Sequence, residues 1–380
     1  MMDLANLREE IDRIDGELLQ LFLRRMRLCE QVAQHKKEHG LPILNRARER
    51  EILAKVQEQS GELEPYAYYL FHDLIELSKA RQGELFRGPS RIRSQIERAL
   101  MGGEEVFPRA GTVACQGVEG SHSQAACEKL LPRGNVMFVK TFEAVFDAVE
   151  SGLCRFGVLP IENSANGSVR AVYELLQKRR FGIVRATNLF VRHELLANPG
   201  AELSGIRQIY SHEQALGQCS RFLASLGSGV TVTPCANTAV AAQMVAESGR
   251  DDCAAIAARQ CAALYGLISL SDDIQDSDNN YTRFICIAKD PAIYAGANRI
   301  SLILPCEDKP GALYGLLSKV AVRGINMSKL ESCPVTGRHF EYMFFVELEA
   351  SVKEQGVLSM LEELESASEN CIFLGNYAVV

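Results

Sequence analysis

Apolar residues fall into three regimes along the chain, and each predicts a different architecture. From residue 3 to about 87 they recur in steps of three and four, at Leu4, Leu7, Ile11, Ile14, Leu18, Leu21, Leu28 and Val32. That spacing predicts one helix of about forty residues with a heptad-like seam. Gly40 and Pro42 should end it. Asn45 is placed to cap a second helix reaching about Gln59. "SGELEP" reads as a turn and "YAYYLFHDLIELSKARQ" as a third amphipathic helix. From Gly83 to Arg109 the apolar pattern is lost, which predicts a linker carrying a short helix.

From Thr112 to about Lys289 the period changes. "TVACQG", "RFGVLP", "FGIVRATNLFV", "IRQIYSH", "VTVTPC", "CAAIAA" and "TRFICIAK" are predicted strands. "SQAACEKLL", "FEAVFDAVESG", "QALGQCSRFLASLG" and "NTAVAAQMVAES" are predicted helices between them. The alternation implies an α/β unit with a mostly parallel sheet. "KDPAIYAGAN" is a second linker. The last stretch reads strand, helix, strand, strand, helix, strand, which is the ferredoxin-like plan. The expected units are all-α at 1–88, a linker at 89–109, α/β at 110–290 and α+β at 298–380.

Composition narrows the function classes. With 380 residues the chain is too long for one core. Hydrophobic content of 47% and charged content of 23% are those of a globular protein. A net charge of -7 argues against a nucleic-acid partner, whose phosphates call for a basic surface. The start has no apolar core of a signal peptide, and no apolar run reaches membrane-spanning length. A cytoplasmic protein without a membrane partner is expected. The twelve cysteines include no CxxC pair and read as small buried hydrophobes. No cofactor and no metal site are expected.

Candidate chemistry begins with cations on the first helix. Arg25 interrupts the apolar seam, where an unneutralised guanidinium is expensive. Lys36, three turns on, shares its face at about 16 Å along the axis, so the two side chains can close around a small dianion. Arg8 is about 25 Å from Arg25 and a quarter-turn off, so it can serve such a pocket only in a partner chain. Arg48 and Glu49 open the second helix, and Ser78 and Gln82 are an i, i+4 pair on the third. "LREEID…LLQLFLRRMRLCEQVAQHK…PILNRARERE…LFHDLIELSKARQ" resembles the all-helical class of chorismate mutase. The resemblance implies an intertwined homodimer and places the active site on Arg8, Arg25, Lys36, Asn45, Arg48, Glu49, Ser78 and Gln82. It also implies chorismate as substrate. Lys36 and Gln82 would then donate to the breaking ether oxygen, with Glu49 a hydrogen-bonding partner there.

In the α/β segment, four strand ends carry small polar groups. Ser121 and Ser123 lie in "GVEGSHSQAAC", Glu162, Asn163 and Ser164 in "PIENSANGSV", Ser211 and Gln218 in "SHEQALGQC", and Thr282 and Arg283 in "NNYTRF". Such clusters suggest a shared crevice, the usual ligand position in open sheets. The motifs, in this order, closely resemble prephenate dehydratase. That implies two subdomains around a cleft, like a closed binding-protein fold, with prephenate held by Glu162, Asn163, Ser164, Ser211, Gln218, Thr282, Arg283 and Phe284. Thr282 is expected to donate to the departing hydroxyl in a network with Glu162 or water, and Arg283 or nearby amide groups to hold a carboxylate. Two positions depart from the family: Ala236 where a Glu is common, and His122 where an aromatic is usual.

"PGALYGLLSKVAVRGINMSKLESCPVTG" resembles the ACT regulatory domain of these dehydratases. By that resemblance Gly311, Ala312, Leu313, Glu331, Ser332 and Pro334 would bind phenylalanine as effector, with Cys333 standing where an arginine is usual. The leading expectation is a bifunctional, cofactor-independent enzyme converting chorismate to prephenate and then to phenylpyruvate, assembled as a dimer or tetramer. The alternatives are an aromatic-metabolite-sensing regulator and a mutase with an impaired dehydratase half.

Overall fold

The computed structural model describes residues 3–42, 45–85, 90–101, 106–334, 342–368 and 370–380. The first segment is three helices, α1 (Leu4–Glu38), α2 (Arg46–Ser60) and α3 (Glu64–Leu85). Asn45 caps α2 as expected, its side-chain oxygen accepting from the Arg48 N–H at 3.1 Å. The seam on α1 divides into two faces. Phe22, Arg25, Met26, Cys29, Ala33 and Lys36 are the shielded side, whereas Leu4, Leu7, Ile11, Ile14, Leu18, Leu21, Leu28 and Val32 stay 42–61% exposed. A 35-residue helix runs about 52 Å, beyond the reach of a 22-residue α3, so part of its apolar stripe has no intrachain cover.

The expected linker is not a free connection. Helix α4 (Arg91–Met101) buries Ile92, Ile96 and Ala99 in the core of the C-terminal unit. Residues 86–89 and 102–105 on either side of it lie outside the described residues.

The central segment folds as two lobes. The first contains β1 (Ala110–Gln116), α5 (His122–Leu130), β2 (Arg133–Val139), α6 (Phe142–Glu150), β3 (Phe156–Asn163), β4 (Gly167–Ser168), α7 (Arg170–Arg179) and β5 (Gly182–Phe190). The chain then crosses into a second lobe of β6 (Glu194–Ala197), β7 (Gln208–His212), α8 (Glu213–Gln218), α9 (Ser220–Ser225), β8 (Thr231–Cys235), α10 (Thr238–Ser248), β9 (Cys253–Ala257), α11 (Gln260–Tyr265) and β10 (Ile268–Ser271). It returns as β11 (Tyr281–Ala288), which inserts antiparallel between β3 and β5. The sheets are therefore mixed, correcting the mostly parallel expectation. A returning strand that follows a lobe crossing, rather than a helical crossover, is free to pair antiparallel.

The C-terminal unit is β12 (Arg299–Cys306), α12 (Ala312–Ala321), β13 (Met327–Pro334), β14 (Tyr342–Leu348), α13 (Val357–Ala367) and β15 (Ile372–Val379). Its strand order β13-β14-β12-β15 is the ferredoxin-like arrangement the sequence predicts. β15 pairs parallel with β5, so the two units share one 10-stranded sheet among the described residues. The Thr187 hydroxyl donates to the Val380 carbonyl at 2.6 Å and secures this junction.

Candidate functional sites

Between α1 and α3 the Arg25 guanidinium donates to the Leu74 carbonyl at 2.9 Å and to the Ser78 hydroxyl. One turn farther along α3, the Lys36 ammonium lies 3.5 Å from the Gln82 side-chain oxygen. Ser78 and Gln82 are both buried. Glu49 faces the same helix from α2, with its carboxylate 3.5 Å from Lys79. The sequence expectation missed Lys79, which also pairs with Glu76, itself 3.2 Å from Lys319 of α12. The fold thus brings Arg25, Lys36, Ser78 and Gln82 together, with Glu49 nearby. Arg48 is turned outward to Glu51, and Arg8 lies exposed far along α1.

In the central segment the side chains at the lobe crossings form a chain of carboxamides. The Asn163 oxygen accepts from the backbone N–H groups of Ala165 and Asn166, each at 3.0 Å. Its Nδ2 therefore faces the other way, 2.9 Å from the Thr282 hydroxyl oxygen, 3.0 Å from the Asn280 Oδ1 and 3.3 Å from the Tyr281 carbonyl. Asn280 Nδ2 donates in turn to Gln218 Oε1 at 3.0 Å. Asn163 and Thr282 belong to the first lobe, Gln218 to the second, and Asn280 to the crossing that leads back into β11. Asn280 stands in the quoted "NNYTRF" motif and His193 in neither expectation, yet both are 3% exposed or less and part of this chain.

Strand alternation corrects two expectations. Thr282 pairs with Asn163 and Arg283 with Glu162, so the second pair lies on the opposite face of the sheet from the first. Arg283 makes a bidentate pair with Glu347 of β14 at 2.8 and 2.9 Å. Glu162 lies 3.0 Å from Lys329 of β13. Neither side chain is placed in a crevice with Thr282. Together with Tyr173, Ser301 and Tyr377 they line a cavity of about 20 Å³ between the central and C-terminal units, room for about one water. Lys329 also reaches Glu331 at 3.2 Å and the Ser168 hydroxyl at 2.8 Å. Burial pulls the Lys329 pKa down, but Tyr173 and Glu162 outweigh it and hold it at about 12.

The remaining expected residues anchor loops or lie in the cores. Ser121 caps α5, while Ser123 is buried on its first turn. Gly120, at φ 85°, lets that loop pack against the second lobe, since a Cβ there would lie 3.0 Å from the Cys261 sulfur. Ser164 binds the Asn279 carbonyl and the Tyr281 N–H, fixing the start of β11. The Ser211 hydroxyl is fully buried on the Ile256 carbonyl and is structural. Phe284 is buried in the first lobe's core. The Ser168 hydroxyl of β4 bonds Glu331 and Lys329 of the C-terminal unit.

In the C-terminal unit Gly311 precedes α12 at φ 79°, with Ala312 and Leu313 in its first turn. Glu331 and Ser332 lie on β13, and Glu331 is engaged by Ser168 of the central segment. The Pro334 side chain lies outside the described residues. Among the described residues no cluster of His, Cys, Asp or Glu is placed to hold a metal ion, and no helix is long and apolar enough to cross a membrane.

Comparisons with known proteins follow the same division. The prephenate dehydratase family matches residues 113–292 and the chorismate mutase type II family residues 7–83. A bifunctional chorismate mutase/prephenate dehydratase of Aquifex aeolicus is 31% identical, over 99% of this chain and 98% of its own. The arogenate dehydratase/prephenate dehydratase 2 of Arabidopsis thaliana is 37% identical, over 75% of this chain and 76% of its own. The crystal structure of a prephenate dehydratase from Arthrobacter aurescens, in complex with L-Phe, superposes with a TM-score of 0.65 at 30% identity, covering 70% of this chain and 89% of that one. With both domains matched in order and a relative aligned nearly end to end, this chain belongs to the bifunctional chorismate mutase/prephenate dehydratases, enzymes of phenylalanine biosynthesis.

Proposed function

We propose that the two activities are carried by the two clusters described above, neither of which uses a nucleophile. Chorismate to prephenate is a pericyclic rearrangement, so catalysis consists of holding the dicarboxylate in its reactive conformer and stabilising charge on the ether oxygen. Arg25 grips a carboxylate and Lys36 and Gln82 serve the ether oxygen, with Glu49 a hydrogen-bonding partner there. Asn45, Arg48 and Ser78 complete the pocket. Arg8 completes it from a second copy of the chain, and the exposed apolar stripe of α1 supports that intertwined dimer.

Prephenate to phenylpyruvate breaks two bonds from substituents to the ring, which itself stays intact. The electrons of the C–CO2 bond move into the ring as CO2 leaves, and the C4 hydroxyl departs with its bonding pair and takes up a proton from solvent to become water. Aromatisation drives the step, so a well-aimed hydrogen bond to the departing oxygen suffices. Thr282 provides it. One observation carries this reading: Asn163 Nδ2 lies 2.9 Å from the Thr282 oxygen, and its orientation is fixed by two backbone N–H groups. The Thr282 oxygen therefore accepts from Asn163 and its own O–H points away, free for substrate. Ser121, Ser123 and Gln218 line the same crevice.

Phenylalanine is the proposed effector, bound around Gly311–Leu313 and the Glu331–Ser332 strand. The Lys329 contacts to both Glu331 and Glu162 support communication with the dehydratase lobe. The twelve cysteines are free, which favours a reducing, cytoplasmic setting. The reading is tested with Thr282→Ala and Thr282→Ser. Alanine should lower dehydratase kcat by about 10²- to 10³-fold while serine retains most of it. Near-native turnover in the alanine variant would refute the assignment.

A further inference from the structure

We propose that His193 is a positioning residue of the dehydratase site, which locks the carboxamide chain behind Thr282 by donating from Nε2; this rests on Thr282 being the donor to substrate.

The polarity of the chain can be followed from one fixed end. Backbone N–H groups can only donate, so those of Ala165 and Asn166 assign the Asn163 oxygen. The Asn163 amide nitrogen then requires an acceptor at Asn280, which presents its Oδ1 at 3.0 Å. That leaves the Asn280 amide to donate to Gln218, whose Oε1 accepts at 3.0 Å. His193 Nε2 approaches the same Gln218 oxygen at 2.9 Å. An amide oxygen accepts and never donates, so Nε2 carries the proton and Nδ1 does not. The tautomer of a buried imidazole is thus set by two peptide groups in the "PIENSAN" turn.

The surroundings hold that state. His193 lies on the crossing from β5 to β6 and is 2% exposed. Its N–H donates to the Gln275 side chain at 3.0 Å, and its carbonyl accepts from the Ile274 N–H at 3.1 Å. Both partners lie on the returning crossing, so the imidazole is anchored where the two lobes meet. Its Nδ1 is buried with no hydrogen-bond partner among the described residues, which disfavours placing a proton there. Burial lowers its pKa, which favours the neutral ring. The His122 ring packs edge-on at 6.1 Å.

Without the His193 donor, Gln218 loses one of the two groups that hold its oxygen and can swing away from Asn280. The Asn163 amide keeps its orientation, but the Asn280 side chain that accepts from it is then held from one side only, and the aim of the Asn163–Thr282 pair loosens. The step affected is the chemical one, not the grip on prephenate. His193→Leu should therefore lower dehydratase kcat by about 10- to 100-fold, less than loss of the donor itself, with KM nearly unchanged. His193→Gln, whose side-chain amide can donate in place of Nε2, should recover most of the rate. Chorismate mutase turnover of the same chains, on a separate domain, should stay native, and a native thermal midpoint of the variants reports that the dehydratase lobes fold. Nitrogen-15 shifts of the imidazole should show the Nε2–H tautomer. Native kcat in His193→Leu, equal loss in both variants, a defect confined to KM, or an Nδ1–H tautomer each overturns the proposal. If His193→Leu behaves as expected while Thr282→Ala is near native, the Thr282 reading fails instead.

Discussion

Exchanging Asn163 for aspartate changes almost no volume, yet it should damage the dehydratase more than removing the side chain. One carboxylate oxygen keeps the contacts with the Ala165 and Asn166 N–H groups. The other replaces a donor that faces three acceptors at 2.9, 3.0 and 3.3 Å, namely Thr282, Asn280 and the Tyr281 carbonyl. Each acceptor left facing an acceptor costs about 1–3 kcal/mol. The Thr282 hydroxyl relieves one of them by rotating to donate to the carboxylate, since a charge-assisted bond outcompetes a neutral one. The departing hydroxyl of prephenate then loses its donor, a loss of about 2.7–4 kcal/mol or 10²- to 10³-fold in kcat. Asn163→Ala leaves the Thr282 hydroxyl unclaimed and should be the faster of the two. A buried carboxylate among acceptors also has a raised pKa. Below that pKa the acid is neutral and can donate, so the activity of Asn163→Asp relative to the native chain should climb as the pH falls. The assay is phenylpyruvate formation at saturating prephenate, with mutase turnover of the same sample as the control for folding. Native kcat in Asn163→Asp, or a slower alanine variant, would refute the reasoning.

Other perturbations test the frame around that site. Lysines at Ile11 and Leu18, both on the exposed stripe of α1, should yield monomers by light scattering. If Arg8 completes the pocket from a second chain as proposed, mutase activity should fall by about 100-fold or more while dehydratase activity persists; an active mutase monomer contradicts the shared site. Gly375→Ala should lower the thermal midpoint, because its Cβ would sit 2.1 Å from the Ile183 carbonyl oxygen at the junction of β15 and β5. A loss of about 1–3 kcal/mol is expected, and an unchanged midpoint would mean the junction adjusts freely. Burial, aided by nearby His193, holds the His122 pKa at about 4, below the ordinary 6.5. Between those values the unfolded chain binds more protons than the folded one, so stability falls as the pH drops from about 6.5 to 4. His122→Phe should make that decline shallower; an unchanged slope rules out His122 as its source.

Much of this was legible in the residues, and the failures have identifiable causes. Asn45 caps α2 where its type and position predict, and the βαββαβ order emerges strand by strand. The assignment of Glu162 and Arg283 to the Thr282 crevice failed because motif neighbours were treated as site neighbours. Adjacent residues of a strand point to opposite faces, so "EN" and "TR" could each place only one side chain there. Ile92, Ile96 and Ala99, spaced by four and three, already signalled that the expected linker packs on something. Two of the missed strands, β6 and β10, are four residues each, too short to carry a period. The carboxamide chain could not be read from sequence, because His193, Gln218 and Asn280 meet only where the two lobes cross.

The central claim is that one chain performs both steps. Purified protein given chorismate, with phenylpyruvate followed over time in the presence and absence of phenylalanine, tests it most directly. Phenylpyruvate should appear after prephenate, and more slowly when phenylalanine is added. Prephenate accumulating with no phenylpyruvate would contradict the account.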